Sequence, residues 1–324
     1  MKLEKLSPAF QGYLWGGTKL RDVYGKQCDL PKVAESWELS THPAGESRID
    51  SGEFDGLTLG EYVKKAGDKV LGKNTLAFER FPVLIKLIDA KDPLSIQVHP
   101  SDEYALKVEH EYGKTEMWYV MDCDPGAFLY FGVNRPVTKE EFRQRIENNT
   151  VLEVLNKVEV HPGDVFFIQS GTIHAIGAGI LICEIQQNSN CTYRVYDYDR
   201  RGADGKPREL HVEKALEVSS FQPSDTSSHV GAPQTIPGGT AQKLGSCKYF
   251  AVDRLQVDSA TELEVGEDSF VSLMVSQGSG LLEGPENTLE FRPGDSLFLP
   301  AGAGKVRVSG PCTLVRTVIP ASEG

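Results

Sequence analysis

A turn-strand-turn unit occurs twice in this 324-residue chain, and it limits the folds open to it. Pro162-Gly163-Asp164 leads into the apolar run Val165-Phe166-Phe167-Ile168 and then Ser170-Gly171. At an offset of 131 residues, Pro293-Gly294-Asp295 leads into Ser296-Leu297-Phe298-Leu299-Pro300 and Ala301-Gly302. Self-similarity at a fixed offset points to two related β units, and short apolar runs separated by Gly/Pro turns make the fold class mainly β. The expected architecture is two β-barrels with a small helical portion. The two copies are not equivalent, because the same offset carries His174 onto Lys305, so metal binding is expected in the first only. Residues 222–239, rich in Ser, Pro, Gly and Thr, read as a linker. The expected domains are therefore 1–221 and 240–324.

Composition narrows the partners. A formal net charge of -12 argues against non-specific nucleic-acid binding, which needs a basic surface to displace counterions. It leaves room for a small anionic substrate if the pocket itself is basic. No stretch approaches a membrane span and the N-terminal residues lack an apolar signal core, so the sequence reads as cytoplasmic. The six cysteines show no CxxC pair and are expected as free thiols. Oligomeric state is not readable.

Periodicity places the main elements. Glu35 to Ser40 alternates as a strand does. Thr58 to Leu71 repeats apolar residues at helical spacing behind a Thr58/Glu61 capping box. Phe81 to Asp89 is short, apolar and β-branched, and predicts a buried strand in which Lys86 must find a partner or lower its pKa. Ser101 to His110 and Thr138 to Asn156 predict helices, and Phe128 to Gly132 a strand.

The chemistry concentrates between Ser95 and His174. In Ser95-Ile96-Gln97-Val98-His99 the polar residues alternate with apolar ones, so on a strand Ser95, Gln97 and His99 share a face. Glu116 follows in Gly113-Lys114-Thr115-Glu116, and His174 closes Ser170-Gly171-Thr172-Ile173. Two histidines, a carboxylate and an amide oxygen suit Zn²⁺ or another divalent transition ion. A single strand histidine usually serves packing or hydrogen bonding; the pair together with Glu116 is the stronger signal. For Gln97 the competing role is a pocket hydrogen bond.

Beyond His174, two strand-like runs flank Asn188-Ser189-Asn190, and a turn centred on Ser189 would oppose Glu184 to Arg194 across a hairpin. That pair is read either as a structural ion pair or as a functional one, with Arg194 suited to a phosphate or developing oxyanion. Lys86 and Lys114 add positive charge near the ligands. The cluster Arg200, Arg201, Lys206 and Arg208 reads as solvated surface, with closure over an anion as the other reading. His42, His110, His161, His211 and His229 read as structural or exposed.

These residues resemble the type I mannose-6-phosphate isomerases, zinc-dependent enzymes of the cupin superfamily, in their short bacterial form. The likeness is carried by Leu14-Trp15-Gly16-Gly17, Glu35-Ser36-Trp37-Glu38, Lys86-Leu87-Ile88-Asp89-Ala90, Ser95-Ile96-Gln97-Val98-His99-Pro100, Gly113-Lys114-Thr115-Glu116-Met117-Trp118 and Gly171-Thr172-Ile173-His174-Ala175. The resemblance implies two cupin-like jelly-roll barrels and one Zn²⁺ per chain held by Gln97, His99, Glu116 and His174. It also implies a sugar-phosphate pocket lined by Ser95, Lys114, Glu184 and Arg194, to which the buried Lys86 is added. Two departures stand out: Gln169 replaces the usual proline before the second histidine, and the stretch between Glu116 and His174 is too short for the large helical domain of longer relatives. The activity implied is interconversion of mannose 6-phosphate and fructose 6-phosphate through an enediol or enediolate. Glu184 is assigned as base, Arg194 as anion partner and Lys114 as a rival acid-base group. The alternatives are a cupin oxygenase with a two-histidine, one-carboxylate iron site, and a sugar-binding cupin without catalysis.

Overall fold

In the computed structural model, which describes residues 1–202, 205–225 and 230–321, the chain is mainly β, with four sheets arranged as two facing pairs. The first pair sets a six-stranded sheet against a five-stranded one. The six strands run in the order Val165–Ile168, Glu116–Cys123, Ile180–Gln187, Val83–Ala90, Glu35–Leu39, Ala9–Gln11. The five run Tyr193–Tyr196, Ile96–Val98, His174–Ala175, Phe128–Val133, Leu155–Glu159. The second pair sets an eight-stranded sheet against a four-stranded one formed from Ala260–Val265, Gly304–Ser309, Gly280–Glu283 and Thr288–Phe291.

Period-2 alternation sorts each central strand between two cores. In Glu116–Cys123, Trp118 and Val120 face the five-stranded sheet and pack with Leu129 and Phe131. Met117, Tyr119 and Met121 face the other way, where Val252, Met274, Phe298 and Val315 of the eight-stranded sheet meet them. The two larger sheets are thus packed back to back, and Leu273, Leu314 and Val306 fill the space inside the second pair. Helices Lys139–Glu147 and Val212–Val218 cover the outer face of the five-stranded sheet, burying Phe142, Ile146 and Leu216 against Ile96, Val98 and Val195. Each fully buried residue of this size contributes about 1.5–3 kcal/mol through removal of apolar surface from water.

Local expectations are met at Glu35–Leu39, Val83–Ala90, Phe128–Val133, and at helix Leu59–Ala66, where Thr58 and Glu61 close a reciprocal capping box. The helix expected from Thr138 to Asn156 stops at Glu147 and is followed by a 3-10 turn and strand Leu155–Glu159. All six cysteines are free. Among the described residues no helix is long and apolar enough to cross a membrane.

The mainly β expectation is met, and the strands pair into four sheets with edge strands such as Ala9–Gln11 and Val165–Ile168. The eight-stranded sheet draws on both ends of the chain, because Glu4–Ser7 pairs with Ser296–Leu299; within the stretch read as a linker, Gln234–Ile236 is its edge strand. One expectation, the Glu184/Arg194 hairpin, is corrected by the strand pairings. Ile180–Gln187 pairs with Val83–Ala90 and Glu116–Cys123, whereas Tyr193–Tyr196 pairs with Ile96–Val98 in the opposite sheet. Asn188 and Ser189 hydrogen-bond outward to Thr41, Phe81 and Tyr112, so the segment crosses between sheets instead of closing a tight turn.

Candidate metal centre and substrate cleft

The inward faces of three adjacent strands form a polar ladder at one end of the first sheet pair. Register sets Lys86 opposite Glu184, Glu184 opposite Trp118, and Gln186 opposite Glu116. Across the gap, Gln97 lies opposite both His174 and Arg194. The strand phase that buries Ile96 and Val98 under the helices therefore turns Ser95 and Gln97 toward the interior, and both line the resulting cleft.

His99, Glu116 and His174 come together at the base of this ladder, their ligand atoms all within 4.8 Å of one another. His174 Nε2 lies 3.3 Å from Glu116 Oε1, and His99 Nε2 lies 3.5 Å from Glu116 Oε2. His99 Nδ1 faces the Cys191 carbonyl at 3.0 Å and His174 Nδ1 faces the Thr172 carbonyl at 2.8 Å. A carbonyl can only accept, so each ring carries its proton on Nδ1 and directs the Nε2 lone pair at the cluster, as a ligating imidazole does. Burial, aided by Lys114, pushes the His99 imidazole down to about 3, and burial likewise lowers His174. Both rings are neutral at pH 7. Among the described residues, His174 Nε2 and Glu116 Oε1 are buried without a hydrogen-bond partner. Orphaned acceptors of this kind cost stability unless something binds them, and two imidazoles with a carboxylate fit a divalent transition ion.

Lys114 joins this cluster to the cleft. Its Nζ lies 2.5 Å from Glu116 Oε2, 3.2 Å from His99 Nε2 and 3.6 Å from Glu184 Oε1. Burial would lower this lysine, but Glu116 and Glu184 raise it above its ordinary value. Burial would likewise raise the Glu116 carboxyl, yet Lys114 and the histidines hold it well below the usual range.

The cleft itself encloses about 220 Å³ and is bordered by Lys86, Ser95, Gln97, Lys114, Glu184 and Arg194. Every residue assigned to the pocket from sequence lies on it. Glu184 Oε2 accepts a hydrogen bond from Trp118 Nε1 at 2.9 Å, while Oε1 is buried without one, 3.8 Å from Lys86 Nζ. Burial and the charge of Glu116 push the Glu184 carboxyl up to about 7. Lys86, buried as the sequence demanded, is 3.4 Å from Glu35 and stacks over Trp37 at 4.7 Å. Arg194 donates to the Glu209 carbonyl at 2.8 Å, and its Nε is buried with no partner among the described residues.

Sequence reasoning left one wall residue unassigned and another with two readings. Arg208 belongs to the cleft, held there by Asp197 at 2.7 and 2.6 Å, which favours the second of the two readings of its basic cluster, closure over an anion, above open surface. Glu35 also borders the cleft, and the buried Lys86 was the signal that such a partner must exist. Of the other histidines, His42 is buried beside Trp37 and Glu111, His161 is exposed, and His211 lies at the start of Val212–Val218. His229 lies outside the described residues.

A mainly β fold with a buried two-histidine, one-carboxylate cluster beside a basic cleft places the chain among the cupins. Residues 3–124 match the phosphomannose isomerase type I catalytic domain, and residues 240–319 match the mannose-6-phosphate isomerase cupin domain. The mannose-6-phosphate isomerase ManA of Bacillus subtilis is 40% identical over 304 residues, covering 94% of each chain. That of Streptococcus mutans is 36% identical over 288 residues, covering 89% of each. The crystal structure of a mannose 6-phosphate isomerase from Bacillus subtilis superposes with a TM-score of 0.91 at 36% identity, covering 98% of this chain and 99% of that one. The chain belongs to the type I phosphomannose isomerases.

Proposed function

We propose that this chain interconverts mannose 6-phosphate and fructose 6-phosphate, with one Zn²⁺ held by His99, Glu116 and His174 and Gln97 as a fourth ligand. The observation that carries the reading is the position of Glu184, whose unpartnered oxygen faces a basic cleft that adjoins the donor cluster. Aldose-ketose isomerisation moves a proton between C2 and C1 and needs a base on one face and positive charge near the developing oxyanion. Glu184, poised near neutrality, can take that proton and return it. Trp118 fixes its outer oxygen, which leaves Oε1 free to work. Lys86 and Lys114, on either side of Oε1, stabilise the ionised form and supply positive charge where the enediolate oxygens develop.

Arg194 and Arg208 give the cleft the positive charge that a phosphate requires, and Arg194 has a buried donor to spend on it. Ser95 offers a hydroxyl for a sugar oxygen. When bound, a divalent ion at the cluster supplies Lewis-acid polarisation and orientation of sugar oxygens. The four cleft cations set this arrangement apart from an iron oxygenase, which has no phosphate to hold, and the free Glu184 oxygen between two lysines favours catalysis over a cupin that only binds sugar. We further read each facing sheet pair as a jelly-roll unit, chiefly 1–221 and 240–324, and the cytoplasm as the working compartment. A coupled assay of purified protein with mannose 6-phosphate, with and without a chelator, tests the function; absence of chelator-sensitive turnover would overturn it.

A further inference from the structure

We infer that the second sheet pair acts on the catalytic cleft: Tyr249, with Lys248, holds Asp102 so that Asp102 and Gln187 clamp the backbone on both sides of Lys114. Lys248 and Tyr249 lie in the turn between strands Gly239–Ser246 and Ala251–Val257 of the eight-stranded sheet. The Tyr249 hydroxyl donates to Asp102 Oδ2, and Lys248 Nζ lies 3.3 Å from the same oxygen. The other oxygen, Oδ1, accepts from Gly113 N at 2.9 Å and from Gln187 Nε2 at 2.8 Å. Gln187 Oε1 then accepts from Thr115 N at 2.8 Å, and Gln187 N donates to the Thr115 carbonyl at 3.0 Å. Between them, Lys114 N donates to the Pro100 carbonyl at 2.9 Å.

Three consecutive amides, those of Gly113, Lys114 and Thr115, are therefore fixed, two of them by side chains that meet on Asp102. There is no slack at Gly113 either, since a Cβ there would lie 2.4 Å from Asp102 N. The clamp has a direct bearing on the cleft, because Lys114 Nζ sits within 3.6 Å of Glu116, His99 and Glu184 at once. Small displacements of a reacting group can cost large factors in rate. A side chain reached from a separate sheet pair supplies such placement without touching substrate, so Tyr249 and Asp102 are positioning residues. Burial would raise the Asp102 carboxyl, yet the hydrogen bonds from Tyr249, Gln187 and Gly113 hold it below its ordinary value, in keeping with a fully engaged acceptor.

This inference rests on the proposed role of Lys114, and its test separates the two. Tyr249→Phe removes one hydroxyl and keeps the ring. The expected results are faster amide exchange across Gly113 to Glu116, a kcat lower by about tenfold with KM changed less than about twofold, and no further loss when Tyr249→Phe is added to Lys114→Met. Asp102→Asn, which keeps the shape of the side chain, is expected to act in the same direction. Unchanged exchange across residues 113–116 in both variants would overturn the inference. So would a Tyr249→Phe effect on kcat that is as large in the Lys114→Met background as in the natural chain. Undiminished turnover of Lys114→Met alone would instead remove Lys114 from the mechanism, and the exchange measurement would still decide whether the clamp exists.

Discussion

Trp118 Nε1 donates to Glu184 Oε2 at 2.9 Å from the neighbouring strand, directly opposite it in register. One carboxylate oxygen is thereby anchored and the other is left to the cleft. A hydrogen bond to the ionised form stabilises that form. Trp118→Phe should therefore raise the Glu184 pKa by about one unit and move the acid limb of the kcat/KM profile upward by the same amount. A profile that stays in place would show that the bond does not tune this group.

Glu184→Gln tests the base itself. With the carboxyl near 7, activity should rise as pH climbs through that value and level off above it, because only the ionised form accepts a proton. The variant should lose at least about 10²-fold in kcat, lose the limb, and keep its metal. Retained turnover with a normal pH profile would assign the proton transfer to another group.

Metal loss should follow the donor set. Glu116→Gln and His174→Ala should bring metal content and activity down together. Chelation of the natural protein should lower its melting temperature by a few degrees, because an ion bound at a hundred times its Kd stabilises by about 2.7 kcal/mol. Full metal occupancy in either variant contradicts the ligand assignment.

Arg194→Ala should lower kcat/KM for mannose 6-phosphate by roughly 10- to 100-fold, the worth of a charge-assisted contact, while leaving metal content unchanged. Arg208→Ala should cost less, since Asp197 already engages that guanidinium on two sides. Normal kinetics in the Arg194 variant would take it out of the phosphate subsite.

Far from the cleft, Glu4 is buried in strand Glu4–Ser7, and burial pushes its carboxyl up to about 7. Unfolded, it ionises near 4.5. Between these values the folded state holds a proton that the unfolded state has lost, so stability falls as pH rises across that window. Glu4→Gln should be more stable than the natural chain at pH 8, by on the order of 1–2 kcal/mol, with the gap narrowing toward pH 5. Parallel melting curves at the two pH values check it.

Much of the site was legible because strand phase is a local property. Alternation through Ser95, Gln97 and His99 predicted their shared face, and a lysine inside an apolar run announced the buried pairing of Lys86 with Glu35. Strand partnership is not local, and there the reading failed. Glu184 and Arg194 were placed opposite each other by counting from Ser189, but the polar side chains of that segment bond to distant loops and send the chain into the other sheet. Both residues still reach one cleft, which they enter from opposite walls. Arg208 was left between two readings for a related reason: only its tertiary pairing with Asp197 distinguishes a cleft cation from a solvated surface charge.

The pairing of Glu4–Ser7 with Ser296–Leu299 has a consequence for biosynthesis. Lys5 meets Asp295 across 290 residues of chain, so during translation the early strand must wait, unpaired, until Ser296–Leu299 has been made. The first sheet pair has all its own strands well before that. The eight-stranded sheet can close only once Cys312–Val318 has been made, and until then Leu6 and its neighbours are a sticky edge that favours chaperone capture or mispairing. A ribosome stalled before Ser296–Leu299 is made should therefore leave a nascent chain in which the sheet pair carrying His99, Glu116 and His174 is shaped while the eight-stranded sheet is still open.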